Sequence, residues 1–526
     1  MRLSHGDAER LYPVHNVENT TGFTFNAEIA RTTTFTGPGK FGRLIDGLAA
    51  FQPSDEALTE LATSMEDVSF DAQMGDDPAG DNPAIPAGFT YLAQFVDHDI
   101  TFDKTNGFPT ITDPALIVQA RTPSLELDSL YGMGPESQPE LYEDGANPAT
   151  AKFKIGRTRP GGIDTTLPGD KPFDLPRNGK TAIIGDPRND ENLAVAQTHL
   201  LFLRFHNKLM DTLPDDGLGR TKFVQVQEEV RRHYQFVALH DMVKRFTGET
   251  VLNKVLTEGR KHYLFENTPE KRPYMPLEFS VAAYRLGHSM IRQVYDYNRV
   301  FLRAPGHFSA TIDLLFRFTG GTSPSQGDVP VPSDWIIDWR RFFNVGPSGP
   351  IKPNMSRLLD TKMANPLKNL PAFAAIPDEV ASLARRNLLR GSRLGLPSGQ
   401  TLAAAMGVPV LSPEQVAAGA DGALLKKHGF DKQSPLWYYI LREALKVEDG
   451  LRLGPLGALI LAEVFVGLLQ GDSTSFLNAP GWTAKIPTKN PQLAMVDIIE
   501  FVGDINPIGE SATAVVNIPE PVVPVP

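Results

Sequence analysis

The sequence predicts a mainly α-helical protein, built as a large single helical domain with long loops. Helical apolar periodicity runs through several long segments, among them Glu191–Leu213 and Phe223–Phe246. Convincing alternating strands are few, and stretches such as Ile336-Ile337-Asp338-Trp339 are too short to assign. Gly (45) and Pro (44) are frequent enough to supply long connections between helices. With 526 residues, 41% of them hydrophobic, the chain can bury a thick core, and its 30 Phe make that core aromatic.

The elements follow in order. Residues 1–50 are polar and threonine-rich and read as an extended N-terminal arm; residues 51–510 form the body; residues 511–526 are a proline-rich tail. Residues 54–68 suit a first helix. A Gly/Asp/Pro loop over 75–83 precedes a helix that starts near Pro86 and carries His98. Residues 156–180 lack periodicity. Glu191–Leu213 presents Leu193, Val195, Ala196, Leu200, Leu203 and Leu209 on a broad buried face. Phe223–Phe246, Pro276–Val294, Ile376–Leu389 and Pro435–Gln470 also read as helices, with Arg231-Arg232 on a solvated face. No internal repeat is visible.

Composition excludes several functions. A net charge of −11 argues against non-specific nucleic-acid binding, which needs a basic surface. The absence of cysteine rules out disulfides, zinc–thiolate sites, iron–sulfur clusters and thiolate-ligated haem. The start of the chain lacks the apolar core of a signal peptide, and the run Leu456 to Leu469 is short and broken by Glu463, so it reads as a core helix and not a membrane span. The expected location is cytoplasmic, or exported without a conventional signal peptide.

Three segments carry chemistry. The first is Gln94-Phe95-Val96-Asp97-His98-Asp99, which sets an imidazole between two carboxylates as a proton carrier would be, with neighbours able to bind a cation or cofactor. The second is Gly185-Asp186-Pro187-Arg188-Asn189-Asp190-Glu191-Asn192, running on to His199 and His206. The third is Tyr284-Arg285-Leu286-Gly287-His288. Taken singly, each has a plainer use: His98 on a helix surface, Arg188 in a turn salt bridge, His288 as a satisfied core histidine. His199 and His206 share a helix face but stand ~10 Å apart and read as structural.

In order and internal spacing the three segments together resemble the animal-type haem peroxidases of the peroxidase–cyclooxygenase superfamily, over roughly residues 85 to 470. The lack of cysteine and of a signal peptide resembles its bacterial branch. The resemblance implies haem b buried between central helices, with His288 as proximal iron ligand, Asn387 orienting that imidazole, and Arg285 and Arg390 neutralising the haem propionates. It implies His98 as the acid–base residue, Arg188 stabilising the charge on the leaving peroxide oxygen, and Gln94 holding water or halide. Asp97 and Glu191 match the acids that esterify haem methyl groups. Asn192 stands where myeloperoxidase has methionine, so no sulfonium link is expected, and bromide, iodide or thiocyanate is favoured over chloride. A Ca2+ site is implied at Asp99 and at Thr122, Ser124, Glu126 and Asp128, whose alternation places their oxygens on one side of an extended loop; the same alternation also suits a half-buried strand.

The implied activity is reduction of hydrogen peroxide coupled to oxidation of halides, thiocyanate or small phenols through a ferryl intermediate. The alternative is a haem-dependent fatty-acid dioxygenase. That chemistry needs a radical-forming tyrosine three residues before the proximal histidine, where this chain has Arg285; Tyr284 is turned by ~100° on a regular helix. A third reading, a haem-binding or scaffolding member without activity, is opposed by the presence of His98, Arg188 and Asn387.

Overall fold

The computed structural model describes residues 39–510 apart from 68–76, 105–108, 112, 305–306, 321–326, 347–348, 350, 371–380 and 490. The expected tail, and the arm as far as residue 38, therefore lie outside the described residues. Residues 39–50 lie against the body, where Phe41–Gly42 pairs in parallel with Met275–Pro276.

Helices dominate, as expected. The longer ones are α1 (Asp55–Ser64), α2 (Gly88–Ile100), α3 (Leu193–Thr212), α4 (Lys222–Val237), α5 (Glu249–Glu258), α6 (Leu383–Arg393), α7 (Leu436–Glu448), α8 (Pro455–Gly471) and α9 (Met495–Val502). Strands occur in short two-stranded pairs, such as Asp81–Pro86 against Met355–Arg357. Local chemistry sets several helix starts. Ser54, Asn192, Thr221 and Ser382 cap α1, α3, α4 and α6 by accepting a backbone N–H from the first turn.

Aromatic packing fixes the centre. Phe95 of α2 stacks on Phe202 of α3 at 5.0 Å and 3°, and Tyr234 of α4 stands edge-on to both rings. At its start, α2 comes so close to the 342–343 segment that a Cβ on Gly88 would lie 2.3 Å from the Phe343 ring. Gly88 also donates its N–H to the Phe342 carbonyl. The helix bearing His98 is thus held along its length before any functional contact is considered.

Three expected helices take different forms. Pro435–Gln470 is two helices, because Asp449 and Gly450 adopt positive φ and Pro455 restarts the chain as α8. Phe223–Phe246 passes through a π-helical stretch over Ala238–Val243, where the Asp241 carboxylate accepts the Met495 N–H and pairs with Arg245. Pro276–Val294 is a π-helical turn, Glu278–Ala282, followed by a 3-10 helix, Ala283–His288. There, side chains take up main-chain carbonyls: Arg285 Nε donates to the Ser280 carbonyl and Trp437 Nε1 to that of Arg285. Arg231 is also not solvated. It is buried, donates to the Glu126 carbonyl and lies over the Tyr131 ring.

Among the described residues no helix is long and apolar enough to cross a membrane. Helix α8 is apolar on all sides and buried. Its Glu463 accepts the backbone N–H groups of Lys261, His262 and Tyr263 at 2.7–2.9 Å. Glu463→Ala strands these donors inside the protein. It should cost about 3 kcal/mol, read as a lower denaturant midpoint with an unchanged slope.

Candidate active site

The segment between Gly185 and Asn192 leads into α3 and packs against α2. Asp186 accepts the Arg188 N–H, and Pro187 sits at the first position of a 3-10 turn, Pro187–Asp190. Asp190, buried below, is clamped by Arg177 and accepts the Gly320 N–H. The turn directs Arg188 at the C-terminal end of α2. Its guanidinium donates to the carbonyls of His98 (2.8 Å) and Thr101 (3.0 Å), pairs with both oxygens of Asp186, and lies 4.0 Å over Phe102. A cation there is favoured by the helix dipole. Two guanidinia, Arg121 and Arg188, hold the buried Asp186 carboxyl far below the usual carboxylate range despite desolvation. Arg188 is thus a helix clamp as well as a candidate charge stabiliser.

His98 is buried. Desolvation, with Arg188 nearby, presses its pKa down to about 3, so the ring is neutral at ordinary pH. Its Nδ1 lies 2.9 Å from Asn189 Oδ1, and its Nε2 lies 3.9 Å from Glu191 Oε2. Gln94, one turn earlier on α2, donates to Glu191 Oε2 and accepts from Asn192 Nδ2. Asn192 also caps α3. Burial raises Glu191 to about 7. Gln94, His98, Arg188 and Glu191 therefore do come together, through Asn189 and Asn192.

Across from them, α2 packs against the 283–288 turn. Asp97 Oδ2 accepts from Arg285 Nη1 at 3.3 Å, while Asp97 Oδ1 is buried and unpartnered among the described residues. Arg390 of α6 pairs with Asp103. The two arginines expected at propionates thus stand on carboxylates of the segment that contains His98. His288 Nδ1 lies 2.7 Å from the Asn387 amide. Asn387 Nδ2 is the amide atom nearest the ring; with the amide turned so that Oδ1 faces it, Nδ1–H donates and the Nε2 lone pair is free to ligate iron. Burial presses His288 to about 3, which keeps it neutral and fit for ligation. Gly287 and His288 are half-buried, and a Cβ built on Gly287 meets nothing within 4 Å. That open space beside a neutral, oriented imidazole fits a flat macrocycle held by His288.

The calcium expectation fares differently. Asp99 accepts from Leu127 N–H, Ser129 Oγ and Tyr234 Oη. The 122–128 loop does not stay extended: Leu127 adopts φ 57° and Asp128 begins a helical turn, paired with Arg121. Among the described residues no three His, Asp or Glu side chains converge at ligand spacing. Ser124 Oγ and Asp128 Oδ1 nevertheless remain buried without a hydrogen-bond partner there. Burial and the neighbouring Asp128 push Glu126 up to about 7.

Asn189 was not distinguished by sequence reasoning. His199 and His206 do not pair, as expected: His199 faces Asn189, and His206 faces Tyr131 and the Ala151 carbonyl.

Residues 94–314 match the family profile described as animal haem peroxidase. Over that segment the chain is similar to the animal haem peroxidases. Among its relatives, the peroxidasin homolog pxn-2 of Caenorhabditis elegans is 23% identical over 380 residues, covering 67% of this chain and 26% of that protein. Peroxidasin of Drosophila melanogaster is 23% identical over 340 residues, covering 61% and 20%. The chain thus spans about a quarter or less of these relatives. Among solved structures, peroxidase A of Dictyostelium discoideum covers 89% of this chain and 91% of its own, with TM-score 0.54 and 16% identity. The fatty acid alpha-dioxygenase of Arabidopsis thaliana covers 93% and 82%, with TM-score 0.59 and 14% identity. These likenesses establish the shared helical fold.

The buried histidines should make this protein acid-sensitive. His199 titrates near 6.5 when unfolded and at about 3 when buried. Its contribution is whole above 6.5 and is lost as pH falls toward 3, by roughly 1.4 kcal/mol per pH unit. His199→Gln should flatten the fall of melting temperature across this window in the haem-free chain; equal slopes in both proteins would contradict the assignment.

Proposed function

We propose that this protein is a haem peroxidase that reduces hydrogen peroxide and oxidises small anions or phenols. The observation that carries the reading is His288: neutral, bonded through Nδ1 to Asn387, and set beside open space on a turn packed against the helix of His98. Bound haem would supply the iron and the electrons that cleave the O–O bond. His98 Nε2 takes a proton from hydrogen peroxide and returns one to the departing oxygen, a task suited to a base that is neutral at ordinary pH. Arg188 offers positive charge next to that exchange while four of its five N–H groups hold Asp186 and the end of α2. Asp97 and Glu191 are the carboxyls for ester links to the macrocycle. Asn192, a helix cap bonded to Gln94, favours bromide, iodide or thiocyanate over chloride as donor.

A fatty-acid dioxygenase is the second reading, supported by the shared fold with the plant enzymes. Its expected tyrosine position holds Arg285. On the observed 3-10 helix, three residues make one full turn, so Arg285 and not Tyr284 shares a face with His288. Tyr284 instead stacks on Phe279 at 4.8 Å and packs edge-on against Phe465.

Purified with haem, the protein should show a strong Soret band that shifts on one equivalent of hydrogen peroxide, and halide but not fatty acid should be oxidised. His288→Gln should lose the band. His98→Gln should keep it and slow the peroxide reaction by about 10²–10⁴-fold. Acid–acetone extraction should leave haem on the wild-type chain and release it from the Asp97→Ala, Glu191→Gln double variant. A chain that takes up no haem under any condition would end the proposal.

A calcium ion bound by Asp99 and the 122–128 loop completes the reading, supported by the unpartnered oxygens of Ser124 and Asp128. Calcium should raise the melting temperature, and Asp128→Ala should abolish the rise; identical melting with chelator and with millimolar calcium would remove the ion.

A further inference from the structure

Behind His98 runs a buried chain of side chains that nothing above assigns. His98 Nδ1 lies 2.9 Å from Asn189 Oδ1, and Asn189 Nδ2 lies 3.0 Å from His199 Nδ1. Both imidazoles and the amide are buried, with relative exposures of 2%, 0% and 0%. His199 is packed edge-on against Phe95, whose ring is stacked on Phe202, so the far end of the chain is fixed by the aromatic centre of the molecule. The near end is fixed by the 187–190 turn, anchored by Pro187 and by the clamp of Arg177 on Asp190.

An amide between two imidazoles has a direction. Its oxygen only accepts and its nitrogen only donates. With Oδ1 toward His98, that ring must carry its proton on Nδ1, and its Nε2 presents a lone pair. With Nδ2 toward His199, that ring must accept at Nδ1 and carry its proton on Nε2, which is buried and meets no hydrogen-bond partner among the described residues. In water a neutral histidine exchanges between tautomers. Here the choice at His98 is made by a residue that touches neither substrate nor cofactor.

We propose that Asn189 is a positioning residue for peroxide reduction: its amide, spanning His98 and His199, locks His98 in the Nδ1–H tautomer. The inference rests on His98 being the acid–base residue, because only the Nδ1–H form leaves Nε2 able to accept a proton from peroxide. A purely structural Asn189 would stabilise the turn and leave the tautomer to the ring itself.

The test reads the tautomer directly. In the full chain without haem, labelled with 15N-histidine, long-range proton–nitrogen spectra show which ring nitrogen of His98 is protonated, with the signal assigned by its loss in His98→Gln. The wild type should show protonated Nδ1 and unprotonated Nε2. Asn189→Leu should convert His98 to a mixture or to the Nε2–H form, and Asn189→Asp, which keeps an acceptor, should retain Nδ1–H. In the haem-loaded protein Asn189→Leu should lower kcat/KM for peroxide by about 10–100-fold with an unchanged Soret band and unchanged KM for the donor, and Asn189→Asp should recover most of the loss only at alkaline pH, where the ring beside the new carboxylate is neutral. A wild-type His98 protonated at Nε2 overturns the proposal, as does an Asn189→Leu variant with wild-type tautomer and peroxide rate. Failure to bind haem would end the peroxidase reading while leaving the tautomer result to stand or fall alone.

Discussion

The pairing of Arg188 with Asp186 is the constraint on which the site is built. Asp186 is fully buried and its charge is tolerated because two guanidinia face it. Arg188, so anchored, donates to the last carbonyls of α2 and fixes where that helix ends. The same short segment delivers Asn189 to His98, Glu191 to Gln94 and Asn192 to the start of α3. Breaking the pair would leave a buried carboxylate short of its partner and loosen the whole distal wall. For this reason substitutions at His98 and Asn189 report on chemistry more cleanly than a substitution at Arg188.

Two imidazoles in this protein share one design. His98 is buried and His288 half-buried, and each is neutral at ordinary pH and met at Nδ1 by an asparagine amide. The amide partner controls the ring without adding charge. A carboxylate in its place would draw the imidazole toward the protonated state and introduce a second buried ion. Neutral partners suit a site whose carboxyls, Asp97 and Glu191, are already raised by burial.

The sequence carried the helical architecture and the site blocks because both depend on local pattern. Apolar spacing in Glu191–Leu213, the caps at Ser54 and Asn192, and the fixed spacing around His98, Arg188 and His288 are all read within a few residues. What stayed hidden depends on distant partners. The irregular helix before His288 arises from carbonyls taken by Arg285 and by Trp437, a residue 152 positions away from Arg285. The burial of Arg231 arises from Glu126, and the failure of the 122–128 loop to remain extended from Arg121 and a left-handed Leu127. The division of 435–470 was legible in Asp449-Gly450 and Pro455, signals outweighed by the long apolar run. Asn189 gave no signal, since an asparagine in a turn is ordinary until its two neighbours are known.

The separation of the two residues that orient each histidine also sets an order of assembly. Asn387 lies 99 residues beyond His288, and Asn189 lies 91 residues beyond His98. Neither ring has its partner when it leaves the ribosome. Contacts this far apart close late, after the local helices have formed. During synthesis the His288 imidazole remains undirected until α6 has emerged and docked. A nascent fragment ending before α6 would carry His288 without the means to aim it.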